Sequence, residues 1–524
     1  MVNVLIFMTD QQRGSTIYGD AYVRALTPNL DRFREQSVTF SQAFAPSPHC
    51  CPSRTSFFTG CFPSEHGVWN NVNVPNALSR GPHEGLAFWS ENFATAGYRL
   101  GFSGKWHVSN SKSPARFGWD ELLLHPPMSP VPDDLEAQHR DSRAHQWANL
   151  RSARRSVNGA TRERGEIIRP GWPAYIHFGV NEDPFRDAEV VRKGIEFIRD
   201  RREADQSDSG DQSAPWLLYA GTLGPHDPYT PPQRFLDMYD PEKLELPASF
   251  TDTLADKPTM YRRSRDPFDQ LTEDEHREAL QHYLAFCSYE DELFGRMLEA
   301  LEETGQAADT VVVYVSDHGD YTGEHGLWAK GLPSFEAAYH VPLVIGGAAV
   351  DEAARGTVST APFSLVDVGT TLLDICGVES EPTSGYSLGP VLRGEASPDA
   401  REELVFQSNG NEAYGIQRIV RTKKWKLVFN MFDDDELYDR EADPDELVNL
   451  LARATPNRLV GIAPLSRVPA HLLPVLTNLY EKLWAFAREH DDDVANPYIL
   501  TALATIGPLG ASDVAGRNTG LGGL

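Results

Sequence analysis

A chain of 524 residues, 40% hydrophobic and 10% aromatic, can bury large cores and hold two domains. Its formal net charge of −27 excludes the basic footprint that nucleic acids and anionic lipid surfaces require, and no apolar run is long enough to span a bilayer. An anionic substrate would therefore need a locally positive cleft inside a negative molecule.

Val2–Met8 reads as a buried strand, with no basic segment or small-residue cleavage site that would make it a signal peptide. The five cysteines, Cys50, Cys51, Cys61, Cys287 and Cys376, are an odd count and suit a reducing compartment, so a cytoplasmic protein is expected. Asp10 and Gln11 close the first strand, and Pro28–Gln36 reads as a helix. Cys50–Gly60, CCPSRTSFFTG, sets a thiol and Arg54 at what reads as a helix start, where backbone N–H groups favour negative charge. A free cysteine is more often an inert small hydrophobe, so Cys50 gains weight only from what recurs downstream. In Gly104–His107, GKWH, an extended chain would put Lys105 and His107 on one face, a cation beside a near-neutral base. Residues 131–169 are rich in arginine and histidine, with Arg151, Arg154 and Arg155 clustered, and read as a solvated helix face in preference to a cap over the cleft.

Asp187–Arg199 and Glu273–Glu303 read as helices, the first burying Ala188, Val191, Ile195 and Ile198. Trp216–Ala220, Val311–Val315 and Pro342–Ile345 read as buried strands. Alternation of strands and helices predicts an α/β fold, a mostly parallel central sheet sandwiched by helices. Ligands of such sheets bind beyond the carboxyl ends of the strands, and Asp10, His226 and the pair Asp317–His318 all fall there. One strand-end aspartate is usually a turn former; two with an imidazole suit Ca²⁺, Mg²⁺ or Mn²⁺. After Leu392 short β-rich segments, Leu404–Gln407, Ala413–Arg421, Lys424–Phe429 and Glu436–Tyr438, precede a helix over Pro469–His490. The expected organisation is a catalytic α/β domain over 1–395, a smaller α+β domain built on an antiparallel sheet over 396–503, and a glycine-rich tail over 504–524. That tail reads as disordered, the alternative being an arm gripping a neighbouring subunit of a homo-oligomer.

Cys50–Gly60 resembles the C-x-P-S-R-x-x-x-x-T-G signature of the sulfatases. GKWH resembles the family's G-K-x-H element, and Gly323–Gly331, GEHGLWAKG, its G-E-H-x-x-x-x-K element ending in Lys330. Lys424–Leu450 is similar to the family's ending, and the elements run in family order, leaving only the 131–169 region and the tail uncovered. The resemblance implies an alkaline phosphatase-like fold and oxidation of Cys50 to formylglycine. A formylglycine-generating or anaerobic sulfatase-maturating enzyme is then a partner. It further implies one divalent cation, Ca²⁺ before Mn²⁺ or Mg²⁺, held by Asp10, Gln11, residue 50, Asp317 and His318. Arg54, Lys105, His107, His226 and Lys330 would be catalytic, with Lys105, His226, Lys330 and Asn71 contacting a small-molecule or saccharide sulfate ester. Asp10–Gln11 stands where the commonest family pattern has Asp-Asp, which leaves the part played by Gln11 open. A phosphonate monoester or phosphodiester hydrolase of the same superfamily is the nearest alternative, but its counterparts of Lys105 and His107 are hydroxyl residues. A non-catalytic anion-binding relative with an unmodified thiol is the alternative of another class.

Overall fold

Alternate side chains of the first strand enter two different cores. The computed structural model describes residues 2–18, 22–74, 76–126, 162–169, 172–207, 214–395, 401–411, 413–452, 468–495 and 504–507. In β1 (Asn3–Thr9), Val4, Ile6 and Met8 face one side and Leu5 and Phe7 the other, as the period of two demands. Around it lie β2 (Ser37–Phe40), β3 (Arg99–Gly104), β4 (Asp120–Leu124), β5 (Trp216–Gly221), β6 (Thr310–Ser316), β7 (Leu343–Gly347) and β8 (Val358–Ser359). They form one eight-stranded sheet in the order β8-β2-β7-β6-β1-β5-β3-β4. Only β7 runs against its neighbours; the other pairings are parallel.

Helices cover both faces. Among them are α1 (Pro28–Arg34), α2 (Cys50–Thr59), α3 (Asp187–Ser207), α4 (Glu273–Glu303) and α5 (Asp367–Cys376). On one side Phe57 and Phe58 of α2 and Leu372 of α5 pack on Tyr219, Val313 and Ile345 of the sheet. On the other, Val191 and Ile198 of α3 and Phe286, Phe294 and Met297 of α4 cover Leu5, Phe7, Leu218 and Tyr314. A Thr272–Glu275 capping box starts α4. The expected fold class is the observed one.

The C-terminal strands β9 (Glu403–Gly410), β10 (Tyr414–Thr422), β11 (Trp425–Asn430) and β12 (Glu436–Asp439) form a separate antiparallel sheet in sequence order. One face of it, Val420, Leu427 and Phe429, packs on Leu476, Tyr480, Leu483 and Trp484 of α6 (Leu473–Glu489). The opposite face, Phe406, Ile419 and Val428, closes over Phe44, Tyr321, Phe335 and Tyr339. Burial on both sides fixes the small sheet against α6 on one face and against the segment between β6 and β7 on the other. Among the described residues, no helix is long and apolar enough to cross a membrane. The arginine cluster at 151–155, the 396–400 junction and residues 508–524 of the tail lie outside the described residues.

Candidate active site

Two strand ends and one helix start meet beyond the carboxyl edge of the sheet. β1 delivers Asp10, β6 delivers Asp317 and His318, and α2 opens with Cys50. Every residue of α2 is buried, so the helix has no solvent-facing side and its first residue is shielded from bulk water. Sγ of Cys50 lies 3.3 Å from Nε2 of His318 and 4.0 Å from Oδ1 of Asp10. Nε2 of His318 is 3.7 Å from Oδ1 of each aspartate. One ligand atom from each of the four residues falls within 4.8 Å of all the others.

Arg54, one turn into α2, holds this cluster from below. Its Nη2 donates to Oδ2 of Asp10 at 2.9 Å and its Nε to Oδ2 of Asp317 at 2.8 Å. Its Nη1 donates to the Tyr219 hydroxyl at 2.8 Å. Lys105 also pairs with Oδ2 of Asp10. The cations thus occupy the Oδ2 atoms and leave the Oδ1 side of both carboxylates turned toward Cys50 and His318. Two hard oxygens, an imidazole and a fourth donor at that spacing fit one divalent cation.

The charges around Cys50 are mostly positive. Burial and the Cys50 sulfur push the Asp10 carboxyl up, but Lys105 and Arg54 outweigh them and hold it well below the usual carboxylate range. Burial likewise pushes the Cys50 thiol up, and Lys105, Lys330 and His318 reverse this, leaving it well below an ordinary thiol. Lys330 reaches in from the other side, its Nζ 2.6 Å from Oε1 of Gln11 and 2.9 Å from Nε2 of His226. Burial and Lys330 oppose a charged His226 ring; Asp227, the Cys50 sulfur and Asp10 favour it and win, so its pKa is raised.

The remaining candidates occupy definite places. Gln11 lies in left-handed backbone at φ +66°, which turns its side chain toward Lys330, Asp320 and Asp227. Asn71 accepts from the Cys51 N–H at 3.0 Å and so braces the start of α2. The extended geometry expected for GKWH is not what forms. β3 ends at Gly104, whose φ of +108° and contact with the Gly221 carbonyl admit no side chain, and His107 is left-handed at φ +55°. A turn, not strand alternation, brings both Lys105 and His107 beside Cys50. Nε2 of His107 lies 3.0 Å from Oδ1 of Asn73.

Three residues that sequence reasoning passed over belong to the same surroundings. Asp227 follows His226 directly and touches Gln11; Asp320 completes the D-H-G-D run and binds Gln11 and Tyr229. Both follow in the chain from recognised motifs, so the signal was present. Tyr219 has none, being one aromatic in a core strand. His49, next to Cys50, is buried with Nδ1 unpartnered, and burial pushes its pKa down to about 3.

Residues 2–378 match the model of the Sulfatase family, and residues 323–461 that of the N-sulphoglucosamine sulphohydrolase C-terminal region. The chain is 29% identical over 472 residues to a choline-sulfatase of Rhizobium meliloti, covering 86% of this chain and 82% of that one. It is 26% identical over 483 residues to an N-acetylglucosamine-6-O-sulfatase of Bacteroides thetaiotaomicron, covering 86% and 83%. Among solved structures, a phosphonate monoester hydrolase from Silicibacter pomeroyi superposes with a TM-score of 0.70 at 21% identity, over 95% of this chain and 97% of that one; at that identity the likeness is one of fold. The family match spans most of the chain and contains Asp10, Cys50, Lys105, His226, Asp317 and Lys330, so the protein is a member of the sulfatase family and a sulfuric ester hydrolase.

Proposed function

We propose that the protein hydrolyses the sulfate monoester of a small alcohol or saccharide, with residue 50 acting as nucleophile after its oxidation to formylglycine. The observation that carries this reading is the helix-terminal Cys50 lying among Asp10, Asp317 and His318 with Lys105 and Lys330 on its flanks. A divalent cation, Ca²⁺ by its oxygen-rich donor set, would be held by Asp10, Asp317, His318 and residue 50, and would supply charge for the sulfuryl oxygens and acidify a hydroxyl. Gln11, whose carboxamide oxygen faces Lys330, would then orient that lysine.

Lys105 and Lys330 are placed to neutralise non-bridging sulfate oxygens as charge develops. Arg54 fixes both aspartates and cannot lose its proton. His226, with its raised pKa, is suited to give a proton to the departing alcohol oxygen, and His107 to take one from residue 50 so that sulfate is expelled. A hydrated aldehyde supplies two hydroxyls on one carbon, one to attack and one to eject the product. A serine or thiol supplies one. The relatives named for choline sulfate and a sulfated amino sugar favour alkyl or saccharide esters.

Steady-state rates on an aryl sulfate and an aryl phosphonate monoester test the reading. The sulfate is expected to be the better substrate, since Lys105 and His107 offer a cation and a base at the ester. A preference for the phosphonate would replace this reading by that of a phosphonate hydrolase; turnover of neither aryl ester, nor of an alkyl or saccharide sulfate, would leave an anion-binding protein. Activity is expected only after co-expression with a maturating enzyme.

A further inference from the structure

Asp187 opens α3 and belongs to no role assigned above. Its carboxylate oxygens accept from the main-chain N–H groups of Leu223 and Gly224 at 2.9 and 2.8 Å. The Gly224 carbonyl in turn accepts from the N–H of Asp10 at 3.1 Å, and His226 stands two residues further on. One carboxylate therefore anchors the loop that supports both a candidate metal ligand and the candidate proton donor. Phe185 and Arg186, just before it, take left-handed backbone at φ +54° and +60°, a conformation retained where it aims a side chain.

A second carboxyl presses on the same loop. Glu290 of α4 sits so near Gly224 that a Cβ there would fall 2.2 Å from Oε1. Asp187 and Glu290 are both fully buried and lie within hydrogen-bond reach of each other. The titratable groups that face them are Asp10 from the end of β1, Cys287 and Tyr289 from α4 and Tyr314 from β6. Arg296 lies near Tyr289 but pairs with Glu292. Among the described residues, no lysine, arginine or histidine neutralises the pair. Two touching carboxylates without a cation cannot both ionise, so the pair keeps one proton. Asp187, with two N–H donors, is the natural anion, and Glu290 the neutral acid that donates to it. Burial, and then each other's charge, raises Glu290 well above the ordinary carboxyl range.

We propose that Asp187 and Glu290 are a positioning pair whose single shared proton locks the Thr222–His226 loop and so fixes where His226 meets the leaving alcohol. This rests on the reading of His226 as proton donor; the loop-locking part does not. The one-proton state has two edges: burial also raises Asp187, to about 7, so the pair takes a second proton in acid, and the lock is lost on the other side as pH rises through the folded value of Glu290.

The test compares wild type, Glu290→Gln and Asp187→Asn in the metal-loaded protein. Hydrogen-exchange protection factors of Leu223 and Gly224 are followed alongside kcat and KM from roughly pH 6 to 10. Wild type is expected to lose protection and kcat together on the alkaline side with KM little changed. Glu290→Gln, which keeps the hydrogen bond without ionising, should hold both further into alkali. Asp187→Asn should lower protection and kcat by about tenfold at all pH values with normal metal content. Identical pH courses for wild type and Glu290→Gln would overturn the proposal, as would wild-type protection in Asp187→Asn. If Asp187→Asn fails to fold, the Glu290→Gln comparison decides. Exchange needs no substrate, so a lock seen in a protein that turns over no sulfate ester sinks the function and not the pair.

Discussion

Arg54 and Asp10 meet at 2.9 Å, Nη2 to Oδ2, with neither side chain open to solvent. The same guanidinium reaches Asp317 at 2.8 Å, so a single residue of α2 ties together the ends of β1 and β6. A buried ion triplet of this kind is weak evidence for stability, because desolvation offsets most of the Coulomb gain. Its value lies in geometry.

Arg54→Lys should therefore act on the metal before it acts on the fold. A lysine ammonium cannot fork between two carboxylates. The Oδ1 atoms would lose their common aim, and divalent-cation affinity should fall by about 10- to 100-fold. Titration of apoprotein with Ca²⁺ followed by calorimetry reads this directly; unchanged affinity would mean that Arg54 does not set the ligand geometry.

Cys50→Ser should retain the fold, since the hydroxyl is smaller than the thiol and the site is polar. Turnover of an aryl sulfate should drop by roughly two orders of magnitude or more, as when a covalent nucleophile is lost. Near-normal rates would remove residue 50 from the chemistry.

Lys330→Ala should raise KM and lower kcat together. Its Nζ is the cation nearest His226, and charge on the sulfuryl oxygens grows toward the transition state. A fall of about 100-fold in kcat is the scale for losing one such donor. A change in KM alone would assign Lys330 to ground-state binding.

Glu336, in the segment between β6 and β7, grips the small sheet. It pairs with Arg421 of β10 at 3.0 Å and with Arg440, just beyond β12, at 2.7 Å. Burial pushes its carboxyl up, but the two guanidiniums reverse this and hold it far below the ordinary range. A depressed folded-state pKa contributes stability that is present above the unfolded value of about 4.3 and lost as pH falls through the folded one. Glu336→Ala should cost about 3 kcal/mol at neutral pH, because the buried Arg421 and the half-buried Arg440 both lose their carboxylate, and progressively less in acid. Chemical denaturation at several pH values tests this; a pH-independent difference would contradict it.

Much of the fold was legible because core strands are continuous apolar runs. Val311–Val315 and Trp216–Ala220 were readable within a residue or two, as was α4 with its capping box. β3 was not, since Arg99–Gly104 carries two glycines in six residues and owes its strand character to β5 and β4 beside it. The short β2 and β8 were equally hidden: four and two residues cannot establish a period. In the site, residues within dense motifs could be picked out one by one, whereas Asp187 could not. It looks like any acidic residue in a helix's first turn, and only the tertiary approach of Leu223 and Gly224 gives it a task. The GKWH segment was misjudged for a related reason: residue type alone does not reveal the left-handed φ that His107 adopts.

The proposed chemistry stands or falls on residue 50 carrying a carbonyl where the gene encodes a thiol. Mass spectrometry of the proteolytic peptide spanning Cys50 and Arg54, from protein co-expressed with a maturating enzyme, tests it most directly. The expected peptide has lost one sulfur and two hydrogens and gained one oxygen, and it reacts with a hydrazide. A peptide carrying the intact thiol in protein that still hydrolyses sulfate esters would contradict the account.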